Sequence, residues 1–199
     1  MRRYLHRALV ALLGLALANC AQTPPQQAPA EATAGVGTVN WPSGDRTSRF
    51  VGLIGTKAQH APPFLGVPET NFYCLRSFVD RQTGETRHQL YVSDSYSGTE
   101  RRWGAARDEA GHALRFVEIS RNQITCDAGC SYAEEFAVDI PENELRANLH
   151  GLKIIFTDSS GAEKTITVSR SQITAQLAAI DARQNPSPAA PKPPAGSAN

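Results

Sequence analysis

Between residues 71 and 168 the chain alternates apolar and polar side chains with a period of two. In residues 71–79 (NFYCLRSFV), Tyr73, Leu75 and Val79 point one way, and Phe72, Cys74 and Phe78 the other. Residues 87–96 put Leu90 and Val92 on one face with Tyr91 opposite, and residues 113–120 separate Leu114 and Phe116 from Arg115. The most regular stretch is 132–140, where Tyr132, Phe136, Val138 and Ile140 share a face against Glu135 and Asp139. Successive side chains of a strand project to opposite sides of a sheet, so this alternation predicts strands with one buried face. Turn-forming residues separate the runs at hairpin spacing. RQTG at 81–84 divides the first two strands, and DSSG at 158–161 lets Ile154 and Phe156 face Ile166 and Val168. Short strands joined by tight turns predict an antiparallel meander rather than parallel βαβ units.

Two segments break the alternation. Residues 141–149 open on a proline suited to a first helical turn. Residues 171–183 (SQITAQLAAIDAR) predict a C-terminal helix with Ser171 as N-cap and Ile173, Leu177 and Ile180 at helical spacing. The expected fold is therefore mainly β (α+β): an antiparallel β-sheet sandwich or partly open barrel with a C-terminal helix across one end or face. Residues 47–68 mix a strand-like run at 50–54 with the prolines of a loop.

The ends of the chain read differently. Arg2, Arg3 and Arg7 precede an apolar run at residues 8–18, which is about half of the ~20 residues a membrane span needs. Basic flank, short apolar core and small residues follow in the order of a secretory signal. The residues Leu17-Ala18-Asn19-Cys20 resemble the lipobox of bacterial lipoproteins. That resemblance covers only the leader. It implies a lipid on Cys20 and attachment to the periplasmic face of a membrane, with Ala21 beside the cysteine implying the outer rather than the inner one. Ala16-Leu17-Ala18 offers the competing cleavage site of a soluble periplasmic protein. Residues 21–34 are Pro-, Ala- and Gln-rich and cannot bury enough apolar surface to fold, as befits a tether. From Pro186 onward the chain is again Pro- and Ala-rich, a disordered tail whose rival reading is polyproline display to a partner. The expected organisation is signal peptide 1–19, tether 20–38, one β-rich domain 39–183 and tail 184–199.

Charge and chemistry narrow the picture further. Removing Arg2, Arg3 and Arg7 takes the formal net charge from +1 to −2, which argues against a nucleic-acid partner. Cys126 and Cys130 flank three residues between two strands, with Gly129 where a hairpin loop wants a left-handed residue. Cross-strand Cα separations of about 4.5–5.5 Å suit a disulfide, so an oxidising periplasm predicts a Cys126–Cys130 bridge. Cys74 reads as a buried free thiol between Phe72 and Phe78. No GxSxG, HExxH, Walker or Rossmann pattern is present, and no His/Cys spacing suits a metal, so no cofactor is expected. A hydrolytic trio of Ser93, Asp94 and His88 is conceivable but is licensed by nothing beyond composition. Arg101, Arg102, Arg107, Arg115 and Arg121 concentrate charge around Trp103, and Arg101, Arg102, Trp103 and Arg107 form a candidate site for an anionic envelope polymer or lipid headgroup, with bidentate guanidinium contacts and an aromatic platform. The favoured alternative is a solvated face balanced by Glu100, Asp108, Glu109 and Glu118. Taken together, the residues predict an envelope lipoprotein acting as a non-catalytic interaction or structural module, held at the membrane through Cys20 and meeting an envelope protein or anionic polymer. A soluble periplasmic small-ligand-binding protein is the first alternative, and a hydrolase without a recognised motif the second.

Overall fold

The computed structural model describes residues 36–40, 49–127 and 129–184. The signal peptide, Cys20, nearly all of the tether and the tail beyond Gln184 lie outside the described residues. Among the described residues there are eleven strands, β1 (Gly37–Asn40), β2 (Phe50–Ile54), β3 (Ala58–Gln59), β4 (Phe72–Asp80), β5 (Thr86–Ser97), β6 (Trp103–Asp108), β7 (Ala113–Leu114), β8 (Phe116–Thr125), β9 (Ser131–Ile140), β10 (Gly151–Asp158) and β11 (Glu163–Ser169), with the expected alternation producing those from β4 onward. They form two antiparallel sheets, a larger one in the order β1-β2-β4-β5-β9-β8 with β3 also on β4, and a smaller one in the order β11-β10-β6-β7. Among the described residues this is a sandwich, with no closed barrel. It is not a simple meander. After β5 the chain crosses to the smaller sheet for β6 and β7 and only then returns as β8 and β9.

The core lies between the sheets because each strand turns its apolar row inward. Leu75, Leu90, Val92, Phe136 and Val138 come from the larger sheet, and Ala106, Ile154, Phe156, Ile166 and Val168 from the smaller one. Phe136 packs edge-on against Phe156 with centroids 5.0 Å apart. Leu145 from α1 (Glu142–Ala147) and Ile173 and Leu177 from α2 (Arg170–Gln184) complete the same cluster. Helix α2 packs against β2 and β4 of one sheet and β10 and β11 of the other. Its start differs from the expected Ser171 cap. Ser169 Oγ accepts from Gln172 N at 3.2 Å while Gln172 Oε1 accepts from Ser169 N at 3.0 Å, a reciprocal capping box two residues earlier.

Cys126 and Cys130 are joined by a disulfide. The β8–β9 ladder ends at the pair Thr125↔Ser131, so the cysteines sit just outside it. Their Cα atoms are 3.9 Å apart, closer than the cross-strand spacing expected. Gly129 has φ +107, the positive region the loop requires. Cys74 is a buried free thiol, and burial pushes it up to about 11.

Candidate functional site

The inward rows do not end where the apolar residues end. On β5 the row Leu90, Val92 continues into Asp94, and on β9 the row Val138, Phe136 continues into Glu134. On β11 the row Val168, Ile166 continues into Lys164. Asp94 and Glu134 are directly opposite in register, and each is only 2% exposed. Two carboxylates in facing positions repel, and burial raises the cost, so each must be matched by donors from its own surroundings.

Each carboxylate has them. Asp94 Oδ1 receives the Lys164 ammonium, and Oδ2 accepts from Trp103 Nε1 at 2.9 Å and Arg101 Nη1 at 3.1 Å. Glu134 Oε1 receives the Tyr96 hydroxyl and the Arg102 backbone N–H at 3.0 Å. Glu134 Oε2 accepts from Trp103 N at 3.1 Å and Arg121 Nε at 3.3 Å. To aim two successive N–H groups at Glu134, the backbone at Arg102 takes a left-handed φ of 57. The charged end of the sandwich therefore pins the crossover from β5 to β6.

The same cluster supports a loop. Strand β4 pairs with β5 only as far as Tyr73↔Val92, so the backbone groups of β5 beyond that point need other partners. Side chains from residues 60–71 supply them. His60 Nε2 donates to Ser93 O at 2.8 Å, and Asn71 Oδ1 accepts from Ser95 N at 2.7 Å. With its proton on Nε2, His60 turns an acceptor Nδ1 to the Lys164 ammonium at 3.4 Å. Burial, reinforced by the charge of Lys164, holds the His60 pKa below its ordinary value. Lys164 is likewise pushed down by burial, against the pull of Asp94.

From these anchors the loop projects outward. Asn71 Nδ2 donates to Pro62 O at 2.8 Å, Thr70 Oγ1 accepts from Phe64 N at 2.8 Å and donates to Val67 O at 2.7 Å, and Val67 N donates to Phe64 O at 2.9 Å. Lys57 pairs with Glu69 alongside. Within this frame Leu65, Glu69 and Asn71 all have φ between 51 and 63, a region that disfavours side chains other than glycine's. At its tip, in the sequence PPFLGVP, Leu65 is 83% and Val67 52% exposed. The arrangement is a braced loop that holds apolar side chains out into water.

The residues singled out from the sequence fall into different places. Trp103, at the centre of the candidate anion site, is 3% exposed with its N–H committed to Asp94. Arg101 lies over the Tyr96 ring and on Asp94, Arg102 turns away to Glu100 at 2.7 Å, and Arg107 pairs with Glu163 at 3.0 Å. The three guanidiniums do not converge. The trio Ser93, Asp94 and His88 is not assembled either: Ser93 and Asp94 adjoin His60, whereas His88 lies six residues away along β5 and contacts Ser77 and Glu142. Among the described residues no group of three or more His, Cys, Asp or Glu is placed to hold a metal. Lys164, His60 and Asn71, which carry the loop, were missed in the sequence. Parity was the available signal, since Lys164 sits two residues from Ile166 on the inward face. No family model, curated protein or solved structure matches the chain.

Proposed function

We propose that this protein is an envelope lipoprotein whose β-sandwich is a non-catalytic interaction module, tethered through Cys20 and docking through the loop at residues 62–68. The observation that carries this reading is Leu65, an apolar side chain 83% exposed and held in a left-handed backbone by a frame of internal hydrogen bonds. A left-handed non-glycine residue costs roughly 1–2 kcal/mol, and such strain persists where surrounding contacts enforce it, characteristically at sites of recognition. The buried polar cluster below has its carboxylates matched by the chain's own donors, which suits a scaffold better than a reaction centre.

Two measurements test the reading. The mature protein should give a mass spectrum with an acylated Cys20, and Cys20→Ala should release the domain from membranes; a mature protein beginning at Asn19 would replace the lipoprotein with a soluble periplasmic one. A photo-crosslinker at Val67, 52% exposed beside Leu65, should trap a defined envelope component, while one at Lys153 on the opposite sheet should not. Leu65→Gly should abolish that product while leaving stability unchanged or raised by up to about 1 kcal/mol, because glycine relieves the backbone and no packing is lost. Equal trapping at both positions would rule out the loop as the docking surface.

A further inference from the structure

The loop at residues 62–68 differs from an ordinary protein-binding surface in that its backbone has little left to offer. Pro62, Pro63 and Pro68 have no N–H. Phe64 N donates to Thr70 Oγ1, Gly66 N to Pro63 O at 3.1 Å and Val67 N to Phe64 O. Every N–H from 62 to 68 apart from that of Leu65 is therefore missing or spent within the loop. The carbonyls of Pro62 and Val67 accept from Asn71 Nδ2 and Thr70 Oγ1. Thr70 is half-buried and Asn71 buried, so the side chains that satisfy the tip stay at its base. A protein partner normally exchanges about one hydrogen bond per 100–200 Å² of interface, and this tip can supply few. The boundary between lipid headgroups and acyl chains asks the opposite, because each unsatisfied backbone group carried out of water costs free energy.

The side chains agree with the backbone. Residues 61–68 (APPFLGVP) carry no charge, and Leu65, at 83%, is the most exposed large apolar side chain among the described residues. At the base Lys57 and Glu69 pair with each other, so the loop presents no net charge for a charged partner to read. Its frame is already braced, and little conformational freedom is lost on contact. The loop also lies at the end of the sheet by which the chain enters β1. Gly37 opposes Ile54 and Ile54 opposes Arg76, with β3 and then the loop lying beyond, toward Phe72. Residues 21–36 separate Cys20 from Gly37, a length of no more than about 55 Å when fully extended. On the lipoprotein reading, an acyl chain on Cys20 holds this end of the domain within that distance of a bilayer.

We infer that the tip of this loop, Leu65 and Val67 foremost, inserts into the surface of the lipid bilayer that carries the anchor. This partner rests on the docking role proposed above for the same loop. The mature protein carrying Val67→Trp, reconstituted in phosphatidylcholine vesicles and compared with the parent protein and its own Trp41 and Trp103, tests it. The added emission should shift to the blue and fall by about half when the acyl chains are brominated, as for a residue about 5–10 Å below the headgroups. Lys153→Trp should show neither change, and Leu65→Asp placed in the Val67→Trp protein should abolish both. Added emission from Val67→Trp that is quenched no more than that from Lys153→Trp would overturn the inference. A protein trapped by the Val67 photo-crosslinker would in that case leave the docking loop standing with another partner. A mature protein beginning at Asn19 would instead end the lipoprotein reading, and quenching on added vesicles would still uphold the contact with lipid.

Discussion

His60 and His88 each hold one end of the sandwich in its neutral form. His60 takes Ser93 O on one nitrogen and the Lys164 ammonium on the other, and His88 takes the Ser77 hydroxyl on Nδ1. A second ring proton would break one of these contacts in each case. Burial depresses both pKa values below 6.5, assisted at His60 by Lys164 and opposed at His88 by Glu142. As pH falls, the unfolded chain binds protons first, so the stabilisation is complete above about pH 6.5 and is lost toward the folded-state values. The midpoint of urea unfolding should therefore drop between pH 7.5 and 5.5, and the double variant His60→Gln, His88→Gln should flatten that slope. A midpoint that holds or rises on acidification would contradict this placement of the ring protons.

Among the elements, α2 carries the most unusual burden. Its buried face is Ile173, Gln176, Leu177 and Ile180, a helical stripe in which one position is polar. Gln176 is the only contact from that stripe that hydrogen-bonds into the larger sheet, reaching Leu53 and Ser77 on β2 and β4. Gln176→Ala removes two buried hydrogen bonds, strands their acceptors and opens a cavity, so a loss of about 3 kcal/mol is expected in chemical denaturation. Gln176→Met, which keeps the volume, should recover only the packing share of that loss. The edge strand β8 is protected differently: its register slips between Glu118 and Ser120 and again between Gln123 and Thr125. Such irregularities twist an exposed edge away from pairing with another chain.

Across the whole molecule, the Cys126–Cys130 bridge closes a loop too short to organise the fold. The chain-entropy account gives about 2 kcal/mol for so few residues. Replacing both cysteines by serine should lower unfolding free energy by about that amount and leave a cooperative transition. Loss of folding in the serine variant would show that the bridge does more than staple one hairpin.

The strands were legible because alternation is a local consequence of backbone geometry: Leu90 and Val92, or Phe136 and Val138, declare a buried face wherever their partners come from. The short apolar leader and the Pro-rich flanks are also features of local composition, and they lie outside the described residues. The two polar ends of the sandwich were not legible. Asp94 and Glu134 share the parity of the core, yet a carboxylate near a strand end normally marks the way out to solvent. What keeps these two inside is Lys164, 70 residues from Asp94, and the turn that delivers Arg101, Arg102 and Trp103. Period thus determined which of the described segments become strands. Burial of charge was decided only in three dimensions, because a charged group enters an interior only where remote parts of the chain bring it matching donors.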